Sequence, residues 1–352
     1  MSDIDIRTVG RAGRITLNRP HALNAMTYPM CLAIEEALDR WREDDTVAVI
    51  VLDAQGDRAF CSGGDIADLY ATGMKGDFAY GQQFWADEYR LNHKIFNYPK
   101  PVVSFMQGFT MGGGVGIGCH GSHRVVGESS QIAMPECGIG LVPDVGGSLM
   151  LAQGPGRLGE YLGITAARMG PDDAIYAGFA DSYIPQLMWT DLIAELEKTG
   201  DVACLATQAS APPEGNLRVL QPQIDRLFAG GTYGGIMAAL AAEPSEFAKA
   251  SLRQMGRNAP LSMACTVEMM HRLRGPDLSL TAALELEYRF TARAMEHGDF
   301  LEGIRAAIID KDRNPVWRFA GDLAGQDVPA TAVAAMLAPL ENSVLDLSGR
   351  RT

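Results

Sequence analysis

Apolar positions along the chain follow two different periods. "GRITLNRP" (13–20) reads as a strand closed by a proline turn. "MCLAIEEALDRW" (30–41) spaces Met30, Ile34, Leu38 and Trp41 as one face of a helix, with Thr27 as its N-cap. "VAVIVLDA" (47–54) is a continuous β-branched run, which predicts a parallel strand buried on both faces. "PVVSFMQG" (101–108) predicts another, and "RVVG" (124–127) and "QIAM" (131–134) predict two short ones. Strands alternating with helical segments predict an α/β fold with parallel pairing.

The pattern changes at "ATQASAPPEGNL" (206–217), where small residues and Pro-Pro mark a linker or long loop. The chain thus divides into residues 1–205 and a mainly helical region, 206–352. "SLTAALELEYRFTARAME" (279–296) sets Leu280, Leu284, Tyr288, Ala292 and Met295 on one face. Ser279 is a suitable N-cap and Gly298 a suitable stop. Asp299 and Glu302 then have capping-box spacing for a second helix, with Phe300, Ile304 and Ile308 on its inner side. No internal repeat is visible.

A length of 352 residues allows one large domain or two ordinary ones. The net charge of −13 argues against nucleic acid as a partner, because phosphate binding needs a basic footprint. No apolar run reaches the ~18 residues of a membrane span. None of the six cysteines forms a C-x-x-C pair, so no metal ribbon or redox motif is expected. The N-terminus has neither a secretory nor a transit-peptide pattern. A reducing, bacterial cytoplasm is the simplest setting.

Candidate chemistry lies in the glycine-rich stretches. "MPECGIGLVPDVGG" (134–147) sets Glu136 and Asp144 in otherwise apolar or glycine surroundings. "MGGGVGIG" (111–118) follows a strand, and "AFCSGGDI" (59–66) offers a second strand-to-helix turn. Two such turns read either as tight turns or as converging backbone N–H donors for a developing oxyanion. Gly116-x-Gly118-x-x-Gly121, with Glu136 about twenty residues on, matches a dinucleotide fingerprint and raises an NAD-binding oxidoreductase as an alternative. Three glycines already precede the match at the strand's end, and a long loop follows the acidic residue, which argues against it.

Other residues are weighed and set aside. His120 and His123 form H-x-x-H without a third ligand, which favours structural roles and no metal. Cys61 and Cys119 lack a neighbouring base motif and read as buried small residues. Ser104 lies in a strand without a nucleophile elbow. Glu35–Glu36 and Glu285/Glu287 read as solvated helix faces.

Together, "LNRPHALNAM" (17–26), "AFCSGGDI" and "MQGFTMGGGVGIG" (106–118) resemble the crotonase (enoyl-CoA hydratase/isomerase) superfamily. "DEYRLN" (87–92), "MPECGIGLVPDVGG", "GFADSYI" (178–184) and "FLEGIRAAIIDKDRNPVW" (300–317) resemble its 3-hydroxyisobutyryl-CoA hydrolase branch. The resemblance implies a crotonase-like spiral of ββα units as a catalytic core, followed by a helical C-terminal region. It implies action on acyl-CoA thioesters, here a short-chain 3-hydroxyacyl-CoA of valine catabolism. The small-molecule acyl-CoA is the partner, coenzyme A is part of the substrate, and no separate cofactor is called for.

By motif position, Gly64 and Gly113 are the oxyanion donors. Ala22, Asn24 and Ala25 resemble the CoA-binding turn, with Asp65 approaching CoA beside the first donor. Glu88 matches a substrate-contacting glutamate. A hydratase of this superfamily uses two glutamates, the first two residues after the glycine triplet. That position is Gly116 here, while Glu136 is present and pairs with Asp144 as in the hydrolase branch. Glu136 is the candidate nucleophile or general base, and Asp144 is expected either to hydrogen-bond the substrate's 3-hydroxyl or to shuttle a proton. Two carboxylates in so apolar a stretch are expected to have raised, split pKa values. A same-fold hydratase or isomerase and a non-catalytic acyl-CoA binder are the remaining alternatives. Lys311 and Arg313 are expected either to meet CoA phosphates or to pair with Asp310 and Asp312. Relatives of this fold often form trimers. The longer C-terminus is long enough to cover that interface, so homo-oligomer and monomer are both compatible.

Overall fold

The computed structural model describes residues 2–276, 278–319, 328–341 and 345–348. A six-stranded sheet runs in the order β1 (Ile4–Val9), β2 (Ala12–Leu17), β3 (Val49–Ala54), β5 (Val102–Met106), β7 (His123–Val126), β9 (Ser182–Tyr183). Its first pair is antiparallel and the rest are parallel. A second, parallel sheet holds β4 (Ala59–Cys61), β6 (Phe109–Met111) and β8 (Gln131–Ala133). Each successive turn therefore gives one strand to each sheet: β3 then β4, β5 then β6, β7 then β8. This is the ββα spiral.

The β5–β6 corner shows why the chain can turn so sharply between sheets. Gly108 has φ +56°, and a Cβ there would strike the backbone of Arg58 and Ala59. Beside it, Gln107 Nε2 donates to the carbonyls of Ala54 and Gly56 at 2.8 and 2.9 Å. The corners of two turns are thereby tied together.

Helix α1 (Tyr28–Arg42) buries Met30, Ile34, Leu38 and Trp41, and Thr27 Oγ1 caps it by accepting from Met30 N–H. It also buries Glu35, contrary to the solvated face expected from sequence. The reason lies on α3 (Phe78–Phe96), which follows the short helix α2 (Ala67–Gly73). Arg90 grips Glu35 through two bonds of 2.7 and 2.6 Å, and Lys94 adds a third at 3.0 Å. Burial alone would raise the Glu35 pKa, but these cations hold it below its ordinary value. Glu36 is exposed, as expected.

Beyond β9 every described regular element is a helix, and residues 209–216 are irregular apart from an antiparallel bridge of Ser210 to Tyr183. The helix Leu280–His297 is capped by Ser279 and packs along α3, so the C-terminal region covers the spiral. One hydrophobic cluster runs through both regions, from Ile15 to Leu345. The expected capping box at Asp299 and Glu302 is not formed. Asp299 Oδ1 accepts from Arg318 N–H instead, and Glu302 accepts from Val316 N–H and from Arg305. Both acids are spent on the returning chain. Among the described residues no helix is long and apolar enough to cross a membrane.

Candidate active site

The glycine triplet lies where β6 enters the short helix α4 (Gly113–Gly118). Gly112 has φ +49°, and a Cβ on it would stand 2.8 Å from Glu136 Oε1. A Cβ on Gly113 would stand 2.8 Å from Glu88 Oε1 and 3.3 Å from Gly64 N. Side chains are excluded here because carboxylates and a second backbone turn already stand against this one.

That second turn follows β4. Met26 clamps it from one side: its N–H donates to Gly63 O at 2.9 Å, and its carbonyl accepts from Asp65 N–H at 2.8 Å. The N–H of Gly64, between them, donates to no backbone carbonyl among the described residues. Neither does the N–H of Gly113, at the first turn of α4. Two free donors from adjacent turns thus meet at one place.

They meet at a cavity of about 430 Å³. Gly64, Gly113, Glu88, Glu136 and Asp144 line it, together with Ala22, Ala25 and Asp65. Apolar walls come from Phe84, Trp85, Leu141 and Phe300. Of the candidate oxyanion donors, carboxylates and CoA-turn residues, Asn24 alone stays outside the lining. Its side chain is spent on the backbone: Oδ1 accepts from Arg19 N–H, and Nδ2 donates to Gln55 O and Ala59 O. With φ +54°, Asn24 shapes the turn that presents Ala22 and Ala25.

The three carboxylates are almost fully buried, at 3% exposed for Glu88 and 4% for Glu136 and Asp144. Glu88 Oε1 and Glu136 Oε2 have no protein hydrogen-bond partner among the described residues. Burial, and then the charge of Asp144, pushes both glutamates well above their ordinary range. Burial also raises Asp144. The Tyr89 hydroxyl, donating to Asp144 Oδ2 at 2.7 Å, acts in the opposite direction.

Sequence reasoning missed three contributors. Tyr89 sits inside a segment noted for its neighbours. Asn92, fully buried, has neither amide atom partnered among the described residues and fills the space over Gly116. Glu287 was expected in solvent but is completely buried, whereas Glu285 is exposed. Its carboxylate accepts from Gly146 N–H at 2.8 Å, from Ser148 N–H at 3.1 Å and from Ser148 Oγ. The signal was present in the spacing: Leu280, Leu284, Glu287 and Thr291 share one helical stripe.

The segment after Phe300 also differs from expectation. Arg305–Ile309 forms a π turn, a feature frequent at functional sites. Ile308 is half-exposed at the cavity instead of lying in the core. Asp310 and Asp312 both pair with Arg305, at 2.7 Å each, and not with Lys311 or Arg313.

His120 is buried and structural: its Nε2 lies 2.7 Å from Val145 O, so that nitrogen carries the proton. Cys61 and Cys119 are buried thiols pushed up to about 12 by burial, which makes them poor nucleophiles. The glycines of the dinucleotide-like match face protein. Gly116 packs on Asn92, Gly118 on Phe60 and Met106, and Gly121 on Val102. Among the described residues no group of His, Cys, Asp or Glu is arranged to hold a metal ion.

The sequence profile of the enoyl-CoA hydratase/isomerase family matches residues 12–337. A zebrafish (Danio rerio) protein named 3-hydroxyisobutyryl-CoA hydrolase, mitochondrial, is 37% identical over 90% of this chain and 85% of its own length. The chicken (Gallus gallus) protein of the same name is 34% identical over 98% and 91%. A solved structure described as an enoyl-CoA hydratase from Rhodobacter sphaeroides 2.4.1 is 57% identical, covers 96% of this chain and 98% of its own, and superimposes with a TM-score of 0.92. One described as a carnitinyl-CoA dehydratase from Mycobacterium thermoresistibile is 38% identical, covers 99% and 100%, and has the same TM-score of 0.92. With the spiral, the paired glycine turns and a match over nearly its whole length, this chain belongs to the enoyl-CoA hydratase/isomerase family, the crotonase superfamily.

Proposed function

We propose that this chain hydrolyses a short-chain 3-hydroxyacyl-CoA, with 3-hydroxyisobutyryl-CoA as the preferred substrate, releasing 3-hydroxyisobutyrate and CoA. The observation that carries this reading is the meeting of two pairs in one cavity. Glu136 and Asp144 line the same cavity as Gly64 and Gly113, whose N–H groups donate to no backbone carbonyl among the described residues.

The two N–H groups polarise the thioester carbonyl and hold its oxyanion, a contribution of about 2.7–4 kcal/mol per donor in comparable sites. Glu136 supplies the second requirement. It either attacks the carbonyl carbon, forming an anhydride that water opens, or takes a proton from an attacking water. Burial raises its pKa well above the ordinary carboxylate range, which makes the ionised form a stronger base. CoA thiolate leaves without much acid assistance. Asp144 accepts the substrate's 3-hydroxyl and so favours 3-hydroxyacyl chains. Glu88 borders the Gly113 donor and contacts the acyl group. Ala22, Ala25 and Asp65 flank the CoA end. The chemistry calls on no separate cofactor. Six unpaired cysteines fit a reducing compartment, for which we propose the cytoplasm.

Hydration of an enoyl-CoA is the second reading, favoured by the description of the Rhodobacter structure. Against it, Asn92 and Val145 occupy the space beside Gly116 where a second acid would stand. Thiol release from 3-hydroxyisobutyryl-CoA, followed with a thiol reagent, is expected to be fast. Loss of crotonyl-CoA absorbance without thiol release would establish the hydratase instead. Binding of NADH would favour an oxidoreductase, and thioester binding without turnover a non-catalytic acyl-CoA binder.

A further inference from the structure

The turn that carries Asp144 is held in an unfavourable shape. Val145 has φ +54° and Gly146 has φ +77°. For a β-branched residue the left-handed region is strained and persists only when its surroundings impose it. Three contacts impose it here. The carbonyl of Val145 accepts from His120 at 2.7 Å, that of Asp144 accepts from Gly147 N–H at 2.7 Å, and Glu287 takes the N–H groups of Gly146 and Ser148. Glu287 spans the turn with both carboxylate oxygens and adds the Ser148 hydroxyl. Four residues further along the same helix, Thr291 Oγ1 lies 3.3 Å from the Tyr89 hydroxyl that contacts Asp144. The C-terminal helix Leu280–His297 therefore reaches Asp144 by two routes.

We propose that Glu287 is a positioning residue for the Glu136/Asp144 pair, clamping the Val145–Ser148 turn so that Asp144 faces the substrate. Glu287 is not among the residues that line the cavity. It acts through backbone geometry and through charge. The titratable groups facing it are Asp144 and Glu136 from the loop, Tyr89 from α3 and His120 beside Gly146. His120 is neutral, its pKa pushed down to about 4 by burial. Burial and then Asp144 push Glu287 up to about 8, against the pull of its three donors. When charged, it makes Glu136 harder to ionise.

The kinetic half of the test rests on the thioesterase reading, and the spectroscopic half does not. Wild type, Glu287→Gln and Ser148→Ala are compared for kcat and KM on 3-hydroxyisobutyryl-CoA across acid to alkaline pH. The infrared band of protonated carboxyls is titrated in parallel. Glu287→Gln places an amide donor against a backbone donor and removes the charge. It is expected to lower kcat about tenfold or more, leave KM within about twofold, and move the acid limb of the rate profile to lower pH. Ser148→Ala keeps both backbone bonds and is expected to lower kcat less, with KM again unchanged. Wild-type kcat and an unshifted profile in both variants would overturn the proposal. If Glu287→Gln fails to fold, Ser148→Ala decides: reduced kcat at constant KM supports the clamp, and wild-type kcat overturns it. If the wild type releases no thiol from any 3-hydroxyacyl-CoA, the thioesterase reading alone fails. The infrared titration then decides, with a shift to lower pH in Glu287→Gln supporting the proposal and a superimposable titration overturning it.

Discussion

Tyr89 and Asp144, 55 positions apart in the chain, are joined by a hydrogen bond of 2.7 Å inside the protein. The phenol stabilises the ionised form of a carboxylate that burial otherwise keeps protonated. Tyr89→Phe removes that donor and leaves the ring packing in place. Asp144 is then expected to ionise at still higher pH. The acid limb of the kcat profile should move up, opposite to the shift expected for Glu287→Gln. A charge-assisted bond of this kind contributes about 1.5–3 kcal/mol, so activity near neutrality should fall about tenfold or more. A profile superimposable on wild type would show that Tyr89 does not tune Asp144.

The parts of this fold that declared themselves in sequence are those whose chemistry is local. Val49–Ala54 and Val102–Met106 are β-branched runs, and Thr27 and Ser279 cap helices by bonding backbone three residues on. The three-residue strands Ala59–Cys61 and Phe109–Met111 carry no such run and exist because a neighbouring turn of the spiral pairs with them. The site divides the same way. Gly64, Gly113, Glu136 and Asp144 stand in motifs whose composition is unusual for surface loops. Tyr89, Asn92 and Glu287 lie in ordinary amphipathic helices, and only tertiary packing turns them toward the loop. Glu35 makes the same point outside the site, since Arg90 comes from another helix.

Glu136 yields two coupled expectations. Glu136→Gln should keep the fold and bind the CoA thioester while losing most hydrolysis. It should also be more stable than wild type at alkaline pH. The folded-state pKa of this carboxyl is raised, so its ionisation costs folding energy as pH rises from the unfolded value of 4.5 through the folded one. Below the unfolded value both states are protonated and that cost is absent. Thermal melts should therefore show a gain at alkaline pH that disappears in acid. A melting temperature equal to or below wild type at alkaline pH would contradict the assignment of Glu136 as a strained, functional carboxylate. A single turnover in oxygen-18 water should label Glu136 if it attacks directly, and leave it unlabelled if it acts on water.

Asp144 has one oxygen engaged by Tyr89 and stands within the cavity lining. A site that pairs a substrate hydroxyl discriminates strongly against analogues lacking it. Asp144→Asn is expected to reduce kcat/KM for 3-hydroxyisobutyryl- and 3-hydroxypropionyl-CoA more than for the plain acyl-CoAs. The wild-type preference should shrink accordingly. Equal losses on both substrate classes would assign Asp144 to proton transfer and not to reading the hydroxyl.

Gly116 is glycine for a reason visible in its neighbours. A Cβ there would stand 2.6 Å from Asn92 Nδ2 and 2.9 Å from Val145 Cβ. Both neighbours are buried, and Val145 belongs to the turn that carries Asp144. Gly116→Ala therefore forces either Asn92 or the turn that carries Asp144 to move. Overpacking of this size costs about 1–3 kcal/mol, somewhat reduced by the better helix propensity of alanine. Thermal melting should register that loss, and hydrolysis should fall because Val145 moves with Asp144. Shortening the opposing side chain supplies the control. In the double variant Gly116→Ala/Asn92→Ala the clash with the amide is gone, so stability should recover relative to the sum of the single changes. Strict additivity in that double-mutant cycle would mean that Asn92 and position 116 do not compete for the same space.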